Sequence, residues 1–518
     1  MADNFWQNND ADNDGNNANN WSLGRVPTTG DQMYFEDSNT SDDCTFTASV
    51  SCSSLRFNSN YTGDVFWTNG SGLTTTGDWR MDGGSGRMDF GSGTHECGGD
   101  ANFSTSTSFA LNFESSTVIL SGTSKAFRWA NNDQINGSCT FRITGSYTGS
   151  ASDSIVVAGT ATLDIDTGAT FNMGSSSNLT INDGATFICD GTWTGGSFAD
   201  WSISGNLEFR GAATFGGAGD IRINATANWS VYTGTFTTVS SLDITCTSSD
   251  SPTLPTGTYA FPMNVTIKNT SGANGTFIFP NATITFEASC TFEEVYTFSN
   301  YDLVIDMATN NPTLKFEGNL VFDLNGGSGD DGEIVFQYGT NAIQFTGNTT
   351  ISHSNVGSSN KWRVPGSGDY AQSQTPTLGD ITVTGDLELS DDTYVDSIAF
   401  NSGTQTDGLD LAGNELISEG NITFNSGYDG GTFAGDGGRM YARGNLSLDG
   451  QTFTATALWE MAARGTLSFA GTGDIEYCRV PGVGGAAYAE NWTDSGNNKN
   501  IAFAAQGDQY TQSVRYDA

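Results

Sequence analysis

Basic residues, histidines and long apolar runs are all scarce in this chain of 518 residues. Only 19 lysines and arginines stand against 58 aspartates and glutamates, so the formal net charge is −39. A field of that sign repels phosphate backbones and anionic lipids, and we therefore expect the protein to bind neither nucleic acid nor anionic membranes. The acidic residues are spread along the whole chain, which is typical of a solvated surface. Adaptation to salty water or a demand for divalent cations would give the same composition.

Apolar runs are too short for a membrane-spanning segment. No stretch of 18 apolar residues occurs, whereas a transmembrane helix needs about 20. The opening MADNFWQNNDADNDG has neither the basic region nor the apolar region of a secretory leader. We therefore expect no membrane insertion, and we expect the chain to be made and released in a cytoplasm.

Eight cysteines are present, but none forms the Cys-x-x-Cys pair that would indicate a zinc or thioredoxin-like site. They are Cys44, Cys52, Cys97, Cys139, Cys189, Cys246, Cys290 and Cys478. Most lie in strand-like settings such as CTFTA, so we expect buried free thiols that act as small apolar side chains. Cys44 and Cys52 are the one pair close enough in sequence for a hairpin disulfide, and that alternative stays open.

Aromatic residues make up 12 % of the chain and include 33 phenylalanines, too many for a disordered protein. Apolar and polar residues alternate along most of the sequence. In TFTATALWEM, for example, Phe453, Trp459 and Met461 fall close to one face of a strand. No window of 12 or more residues has a helical pattern. We therefore predict strands of about five residues, separated by Gly, Asn, Asp and Ser turns, from about residue 44 to about 480.

A short repeat recurs at the turns and consists of a glycine, a polar residue, an apolar residue, a variable residue and another apolar residue. Its copies are GNLEF from Gly205, GNLVF from Gly318, GDLEL from Gly385, GNITF from Gly420, GNLSL from Gly444 and GTLSF from Gly465. The last three begin 24 and 21 residues apart, which lies within the range of solenoid repeats. We expect glycine or asparagine at these corners to supply the positive φ that a sharp bend needs.

The repeat favours a parallel β-helix, or β-solenoid, because one coil cannot cover its own apolar side chains and needs neighbours above and below. We predict an all-β rod over residues 44–480, with an N-terminal cap or anchoring segment over residues 1–43 and a C-terminal cap over residues 481–518. A break is expected near residues 249–262, where SDSPTLPTGTYAFP is irregular. The alternative fold is a string of tandem β-sandwich domains.

One short segment matches the first half of a calcium-binding loop. Asp10, Asp12 and Asp14 alternate and are followed by Gly15, as in the Asp-x-Asp-x-Asp-Gly start of an EF-hand loop. The twelfth loop position is Trp21 in place of the usual bidentate glutamate, and no helical pattern flanks the loop. A solvated turn is therefore the first interpretation, and Ca²⁺ at the three aspartates is the alternative.

Few residues are suited to acid–base catalysis, since the chain has only two histidines, His95 and His353. His95 stands beside Glu96 and Cys97 without a nucleophile motif around it, and we interpret it as polar surface. Adjacent acids could serve glycoside hydrolysis, which needs two carboxylates at a suitable separation. The candidate pairs are Asp42 with Asp43, Asp330 with Asp331, and Asp391 with Asp392. With 58 acidic residues such pairs arise by chance, and we predict no enzymatic activity.

Four tryptophans are candidates for stacking on sugar rings, as a receptor-binding rod would need. They are Trp67, Trp79, Trp193 and Trp201. Aromatic ladders in the core explain the same residues equally well, because a large ring is also the side chain that gains most from burial.

Two segments resemble the ends of known proteins. NWSLGRVPTTGD from Asn20 to Asp31, with Trp6 before it and Tyr34-Phe35 after it, resembles the opening of many repetitive β-helical proteins of tailed bacteriophages. Some bacterial surface proteins open in a similar way. NWTDSGNNKNIAF from Asn491 to Phe503 resembles the coil that often closes such proteins. The resemblance covers about 45 residues and the diffuse repeat between them.

This resemblance implies a structural protein of a virion, of the fibre, tail or head-decoration type, assembled in the host cytoplasm. It also implies a homo-oligomer, often a trimer, whose N-terminal region docks on other virion proteins and whose acidic rod projects outward toward a host-surface glycan. A β-helical tailspike depolymerase that acts on polysaccharide is the enzymatic alternative. A bacterial surface adhesin is the third, and the missing leader favours the phage interpretation over it.

Overall fold

The chain is almost entirely β-strand in the computed structural model. The structure describes all residues except 1, 83, 104–109, 130–133, 151–153, 175, 196–200, 212, 217–218, 238, 272, 296–302, 325–333, 338–341, 346–348, 355–379, 384–386, 390–392, 396, 402–408, 412, 429–430, 434–437, 456–457, 471–473, 477, 481–486, 491–492, 497–500 and 505–518. In this described part the one helix is a single 3-10 turn, Ala18–Asn20, and no helix is long and apolar enough to cross a membrane. Two compact units are present, Met1–Asp243 with Pro252–Pro255, and Ile244–Ser251 with Thr256–Ala518.

The first unit contains 29 complete strands among its described residues. They are β1 (Ala2–Phe5), β2 (Asp31–Phe35), β3 (Cys44–Phe46), β4 (Val50–Cys52), β5 (Ser54–Phe57), β6 (Val65–Trp67), β7 (Leu73–Thr75), β8 (Trp79–Met81), β9 (Arg87–Asp89), β10 (Thr94–Cys97), β11 (Ala101–Phe103), β12 (Ala110–Asn112), β13 (Thr117–Leu120), β14 (Lys125–Trp129), β15 (Gln134–Ile135), β16 (Thr140–Ile143), β17 (Ser146–Thr148), β18 (Ile155–Val157), β19 (Thr162–Ile165), β20 (Thr170–Asn172), β21 (Leu179–Ile181), β22 (Thr186–Cys189), β23 (Thr192–Thr194), β24 (Trp201–Ile203), β25 (Asn206–Phe209), β26 (Thr214–Gly216), β27 (Asp220–Ile223), β28 (Asn228–Tyr232) and β29 (Thr235–Thr237).

The next strand in the chain is β30, which includes the division between the units, and the strands after it belong to the second unit. They are β30 (Ser241–Cys246), β31 (Gly257–Phe261), β32 (Asn264–Asn269), β33 (Gly275–Ile278), β34 (Ala282–Phe286), β35 (Cys290–Glu294), β36 (Leu303–Asp306), β37 (Thr313–Phe316), β38 (Leu320–Leu324), β39 (Ile334–Gln337), β40 (Ala342–Phe345), β41 (Thr349–Ser354), β42 (Asp380–Val383), β43 (Leu387–Leu389), β44 (Thr393–Val395), β45 (Ser397–Phe400), β46 (Leu409–Asp410), β47 (Glu415–Ser418), β48 (Ile422–Phe424), β49 (Gly431–Phe433), β50 (Arg439–Ala442), β51 (Leu446–Asp449), β52 (Thr452–Ala455), β53 (Trp459–Ala463), β54 (Leu467–Ala470), β55 (Asp474–Glu476), β56 (Cys478–Arg479), β57 (Ala487–Glu490), β58 (Thr493–Gly496) and β59 (Ile501–Ala504).

Parallel pairing between successive coils defines the fold of the first unit. One 11-stranded sheet follows the order β1-β2-β5-β8-β11-β14-β17-β20-β23-β26-β29, so that after β2 every third strand joins it. A 9-stranded sheet takes β4-β7-β10-β13-β16-β19-β22-β25-β28, and the third set of strands follows β3-β6-β9-β12 and then β15-β18-β21-β24-β27. A step of three means that each coil supplies one strand to each of three faces.

The second unit repeats this arrangement. Its 9-stranded sheet runs β31-β34-β37-β40-β42-β45-β48-β51-β54, beside the succession β30-β32-β35-β38-β41-β43-β46. Shorter sheets follow the orders β33-β36-β39, β44-β47-β50-β53-β56, β49-β52-β55-β58 and β57-β59. Pairings between these described strands are parallel, as between β34 and β37 or β51 and β54. The predicted β-solenoid is therefore confirmed, and the alternative of β-sandwich domains, which need antiparallel strands, is wrong.

Aromatic and aliphatic side chains fill the interior of each unit in stacks that run from coil to coil. Phe46 and Trp67 occupy equivalent positions in β3 and β6, and their rings stack with centroids 4.1 Å apart. In the second unit Phe400 and Phe424 stack in the same way at 4.2 Å. Parallel in-register pairing places like residues above one another, and each aromatic pair adds about 0.5–1.5 kcal/mol beyond the burial of its area.

The Gly-Asn corners of the sequence repeat form a ladder of side-chain hydrogen bonds in the second unit. The side-chain oxygen of Asn421 accepts the backbone N–H of Asn445 at 2.8 Å, and that of Asn445 accepts the N–H of Thr466 at 2.9 Å. A Cβ atom added to Gly444 would lie 2.5 Å from Asn421 Oδ1, and one added to Gly465 would lie 2.5 Å from Asn445 Oδ1. The asparagine therefore satisfies the backbone one coil further on, and the glycine leaves room for it.

Positive φ is not the reason for these repeat glycines, so that part of the prediction is wrong. Gly205, Gly444 and Gly465 are described by the structure and have no left-handed backbone, because close approach of the preceding coil is what excludes a side chain there. Positive φ does occur at another short recurring sequence, Gly-Ala-Thr-Phe, where Gly168 and Gly184 have φ of +80° and +82°.

The predicted segment boundaries can be compared with the strands. The N-terminal segment (residues 1–43) contributes β1 and β2 to the 11-stranded sheet, so strands begin well before residue 44. The division between the units passes through residues 243–256, which overlaps the irregular stretch 249–262. Strands β57, β58 and β59 are the described part of the predicted C-terminal cap, residues 481–518.

Candidate functional site

Two tryptophans of the N-terminal segment close the interior of the first unit. Trp6 and Trp21 are 0 % and 1 % exposed and pack edge to face with centroids 5.4 Å apart. Trp21 also contacts Phe46, the first ring of the stack described above, at 6.2 Å. Each indole N–H has a partner, since Trp6 donates to the carbonyl of Asp42 at 3.1 Å and Trp21 to that of Gly15 at 2.9 Å. The aromatic stack therefore ends in a pair of rings whose polar groups are satisfied.

The outer edge of strand β1 is covered by the residues that follow Trp21. Ser22 donates its backbone N–H to the carbonyl of Phe5 and accepts the N–H of Phe5 on its hydroxyl, both at 2.9 Å. Asn4 accepts the N–H of Leu23 at 3.1 Å and donates to the carbonyl of Arg25 at 2.8 Å. An uncovered edge strand would template pairing with another chain. The NWSLGR phrase therefore caps the first coil.

Asp31 is the buried ionic centre of this cap. Its carboxylate is 1 % exposed and accepts the guanidinium of Arg25 at 2.6 and 3.2 Å, together with the N–H and hydroxyl of Thr28 at 3.0 and 2.8 Å. The hydrogen bonds from Arg25, more than any other contact, lower the pKa of Asp31 to about 2. Sequence reasoning did not single out this pair, although the Thr-x-x-Asp spacing is typical of a side chain that caps a turn.

The three aspartates of the candidate calcium loop lie on the same cap, and asparagine amides engage two of them. Asp10 accepts from Asn17 at 2.8 Å and from Asn19 at 3.0 Å, and Asp12 accepts from Asn17 at 2.9 Å and from Asn20. The N–H of Asp14, followed by these amides, lowers the pKa of Asp12. Within the described ranges no group of three or more His, Cys, Asp or Glu side chains is arranged to hold a metal. Calcium at Asp10, Asp12 and Asp14 stays a prediction.

His95 lies in the core and not on the surface, so its interpretation as polar surface is wrong. It is 0 % exposed, and its ring is 5.3 Å from that of Trp67 and 4.9 Å from that of Phe90. Nε2 donates to the carbonyl of Phe90 at 2.8 Å, while Nδ1 accepts the N–H of Leu73 at 3.3 Å. Burial lowers the pKa of His95 to about 4. Both ring nitrogens are satisfied only in the neutral form, since an acceptor nitrogen cannot carry a proton.

The four tryptophans proposed for sugar stacking belong to the aromatic core. Trp67 is 2 % exposed and Trp79, Trp193 and Trp201 are 0 % exposed. A ring enclosed on both faces presents no surface to a sugar, and the alternative of core ladders therefore describes these residues correctly. Their indole N–H groups have no hydrogen-bond partner in the structure, which is a cost that the surrounding aromatic contacts offset.

Of the three candidate acid pairs, Asp42 with Asp43 lies within the described residues. Asp42 and Asp43 are both exposed, and each accepts a hydrogen bond, Asp42 from Asn8 at 2.9 Å and Asp43 from the N–H of Asp64 at 2.8 Å. The pairs Asp330 with Asp331 and Asp391 with Asp392 lie outside the described residues, as does the side chain of His353. The one described pair therefore serves the cap and the adjacent coil.

Cysteine chemistry is confined to buried thiols in the described part of the chain. The seven cysteines there are all free and buried, from Cys44 to Cys290, which confirms the expectation of apolar thiols. Cys44 and Cys52 are not joined, so the hairpin disulfide is wrong. Burial raises the pKa of Cys52 to about 12 and that of Cys97 to about 11. The side chain of Cys478 lies outside the described residues.

The chain was compared with protein-family models, curated proteins and solved structures. No protein-family model, no curated protein and no solved structure matches the chain. The cap, the coil-to-coil ladders and the outward surfaces are accordingly the features from which a function has to be inferred.

Proposed function

We propose that the protein is a non-enzymatic structural component of a tailed-phage particle, of the fibre, tail or head-decoration type. The observation that carries this proposal is the role of the phage-like opening phrase. Trp6, Trp21, Ser22 and the Arg25–Asp31 pair together close the first coil of a β-solenoid. A segment that caps a solenoid fits the structural role that the resemblance implies.

The solenoid itself supports a mechanical role. Its coils are joined by in-register parallel ladders, and its interior is filled by aromatic and aliphatic stacks. Such a scaffold resists local opening because every coil covers its neighbours. A net charge of −39 keeps the outer surface solvated and discourages unspecific association.

Docking through the N-terminal region is part of the proposal, with other virion proteins as partners and a homotrimer as the assembled form. Leu23 supports this surface, because it and Ile278 are the exposed large apolar side chains of the described chain, at 40 % and 38 %. Leu23 lies on the cap, immediately after the tryptophan and serine that close it.

Purified particles of the phage that carries this gene provide the direct test. Mass spectrometry should find the chain at a fixed copy number in washed particles, and a Leu23→Asp chain should be folded but depleted from them. A control substitution of Thr167 to Asp, at an exposed turn away from the cap, should be incorporated normally. Absence of the wild-type chain from the particles would overturn the proposal.

Catalysis is tested separately by incubating the protein with host capsule and alginate-like polysaccharides. We expect no new reducing ends. Steady turnover would instead identify the polysaccharide depolymerase alternative. Secretion genes beside this gene, in place of capsid or tail genes, would identify the bacterial adhesin.

A further inference from the structure

One face of the first unit is an array of small uncharged residues, formed by the outward positions of β17, β20, β23, β26 and β29. Because these strands pair in register, the outward residues form two parallel columns. The first column is Ser146, Thr170, Thr192, Thr214 and Thr235. The second column is Thr148, Asn172, Thr194, Gly216 and Thr237. We call these two columns the threonine face.

The residue between the two columns points inward in every strand and is aromatic. These residues are Tyr147, Phe171, Trp193, Phe215 and Phe236, all of them buried. The ring centroids of Phe171 and Trp193 lie 4.9 Å apart, and those of Phe215 and Phe236 lie 5.8 Å apart. No register shift interrupts these four pairings, whereas the neighbouring sheet has one between Leu207 and Glu208. The face is therefore in register from strand to strand and is supported by a packed aromatic layer, and its second column lacks one side chain, at the buried Gly216.

Charge is absent from the threonine face and present on the surfaces around it. The same sheet carries Arg56, Arg80 and Arg128 at outward positions in its earlier strands. The adjacent 9-stranded sheet has its own column of threonines, but beside it stand charged residues such as Arg142 and Asp164. In a chain with a net charge of −39, nine outward side chains without a charge on one face are a local departure from the rest of the surface.

Most hydroxyl groups on the face have no partner within the protein. Thr170, Thr192, Thr194, Thr214 and Thr235 are half-buried or exposed, and none of their hydroxyls makes a hydrogen bond to the chain. Each is therefore available to water. Threonine is β-branched, which restricts its side chain to few rotamers, so these side chains lose little conformational freedom when they order water.

We propose that the threonine face binds the surface of an ice crystal. Neighbouring strands are about 4.8 Å apart and alternate residues of one strand about 6.6 Å apart. These two repeats are close to the two principal lattice repeats of hexagonal ice, so ordered water on the face can join the lattice. The methyl groups hold a cage of water, and the hydroxyl groups anchor it by hydrogen bonds. Charged side chains would hold water in other geometries, and the face has none.

The dimensions of the face argue against a second copy of the chain as its occupant. Four strand spacings of about 4.8 Å give a length of roughly 19 Å, and the two columns are roughly 7 Å apart. That area is far below the roughly 800 Å² per partner of a stable protein interface. The face also lacks exposed aromatic or aliphatic anchors, which carry most of the binding energy in such interfaces. An ice lattice needs neither a large buried area nor apolar anchors, because it grows onto the layer of water that the face has bound.

The test uses the purified full chain in a sub-zero microscope stage, with serum albumin as the inert protein. We expect single ice crystals to become faceted, a gap between melting and growth temperatures, and incorporation of the fluorescently labelled chain into a growing ice hemisphere. Thr192→Arg should abolish all three, and Thr235→Arg, on the last strand of the sheet, should do so as well. Two variants guard against a folding defect in either one, and circular dichroism checks each.

Thr186→Arg is the matched control, because Thr186 lies between Thr162 and Asn206 in the threonine column of the adjacent sheet. We expect this variant to retain the full effect on ice. The proposal is overturned if the wild-type chain behaves like albumin, or if the Thr186→Arg variant loses as much as the Thr192→Arg variant. Sedimentation with microcrystalline cellulose without any effect on ice growth would likewise overturn it, in favour of a crystalline polysaccharide.

Discussion

Acidification from about pH 6.5 to about pH 4 should destabilise the first unit through the side chain of His95. The ring is enclosed by Trp67 and Phe90, and its two nitrogens are held by the N–H of Leu73 and the carbonyl of Phe90. Protonation of Nδ1 would place a second donor against the N–H of Leu73 and a positive charge in the core. The neutral ring is therefore the form that the fold accepts.

The magnitude follows from the two pKa values. Burial lowers the pKa of His95 to about 4 in the folded protein, against an ordinary value of 6.5. The difference of about 2.5 units corresponds to about 3 kcal/mol at 1.36 kcal/mol per unit. Between these values the unfolded chain binds more protons, so the free energy of unfolding falls as the pH falls. The stability is complete above about pH 6.5, and the whole 3 kcal/mol is lost below about pH 4.

The assay compares the wild-type protein with His95→Gln in urea unfolding followed by tryptophan fluorescence. A glutamine amide can donate to Phe90 and accept from Leu73, but it does not titrate. The many carboxylates titrate alike in both proteins, so the difference between the two pH profiles isolates His95. We expect the profiles to diverge progressively below about pH 6.5, with the wild type losing about 3 kcal/mol more.

Selective ¹³C-histidine labelling provides a direct second measurement, because the chain has only two histidines. One of the two NMR signals should remain that of a neutral ring until the pH approaches about 4. Identical pH profiles for the wild type and His95→Gln would refute the reasoning. So would NMR titration of His95 near its ordinary pKa.

Three further outcomes test the coil contacts, the cap and the thiols. Gly93→Ala should lower the free energy of unfolding in urea by about 2–3 kcal/mol, because the new Cβ would lie 1.8 Å from the carbonyl oxygen of Ser71. Gly30→Ala is the control and should change this free energy very little, because a Cβ there meets nothing within 4 Å. Equal effects of the two substitutions would contradict the close approach of the coils at Gly93. Asp31→Asn should lower the free energy of unfolding by about 1 kcal/mol at neutral pH, a small value because solvent around the half-exposed Arg25 screens the ion pair. The difference between the variant and the wild type should vanish as the pH falls toward about 2, where the wild-type carboxylate is itself protonated. Cys52 should resist a thiol reagent until urea unfolds the chain, because burial raises its pKa to about 12; rapid labelling of the folded protein would show that it is accessible.

The fold class was accessible from the sequence because it depends on local periodicity. Alternation in segments such as TFTATALWEM specifies which side chains of a strand face inward, and the spacing of Gly444 and Gly465 sets the length of a coil. Asparagine at the corners was also visible as a repeat. Its purpose was not, since Asn421 acts on the backbone of Asn445, one coil away.

The candidate site shows the limit of such reasoning. The alternation of THEC places His95 and Cys97 on one face, and Cys97 was already expected to be buried, so the sequence contained a signal for a buried histidine. Trp67 and Trp193 posed the same choice between surface and interior. The pairing of coils decided it, because each ring packs against at least one aromatic ring more than 20 positions away in the chain.

By itself, then, the sequence determined that this protein is a stack of short parallel strands with acidic and small polar residues outside. Only the tertiary structure decided that Trp6 and Trp21 meet, that Arg25 neutralises a buried Asp31, and that the threonines of β20, β23 and β26 form one regular face. The physical reason is register. Periodicity along one strand specifies the side on which a residue lies, whereas its neighbours across the coils depend on how many residues each intervening turn contains.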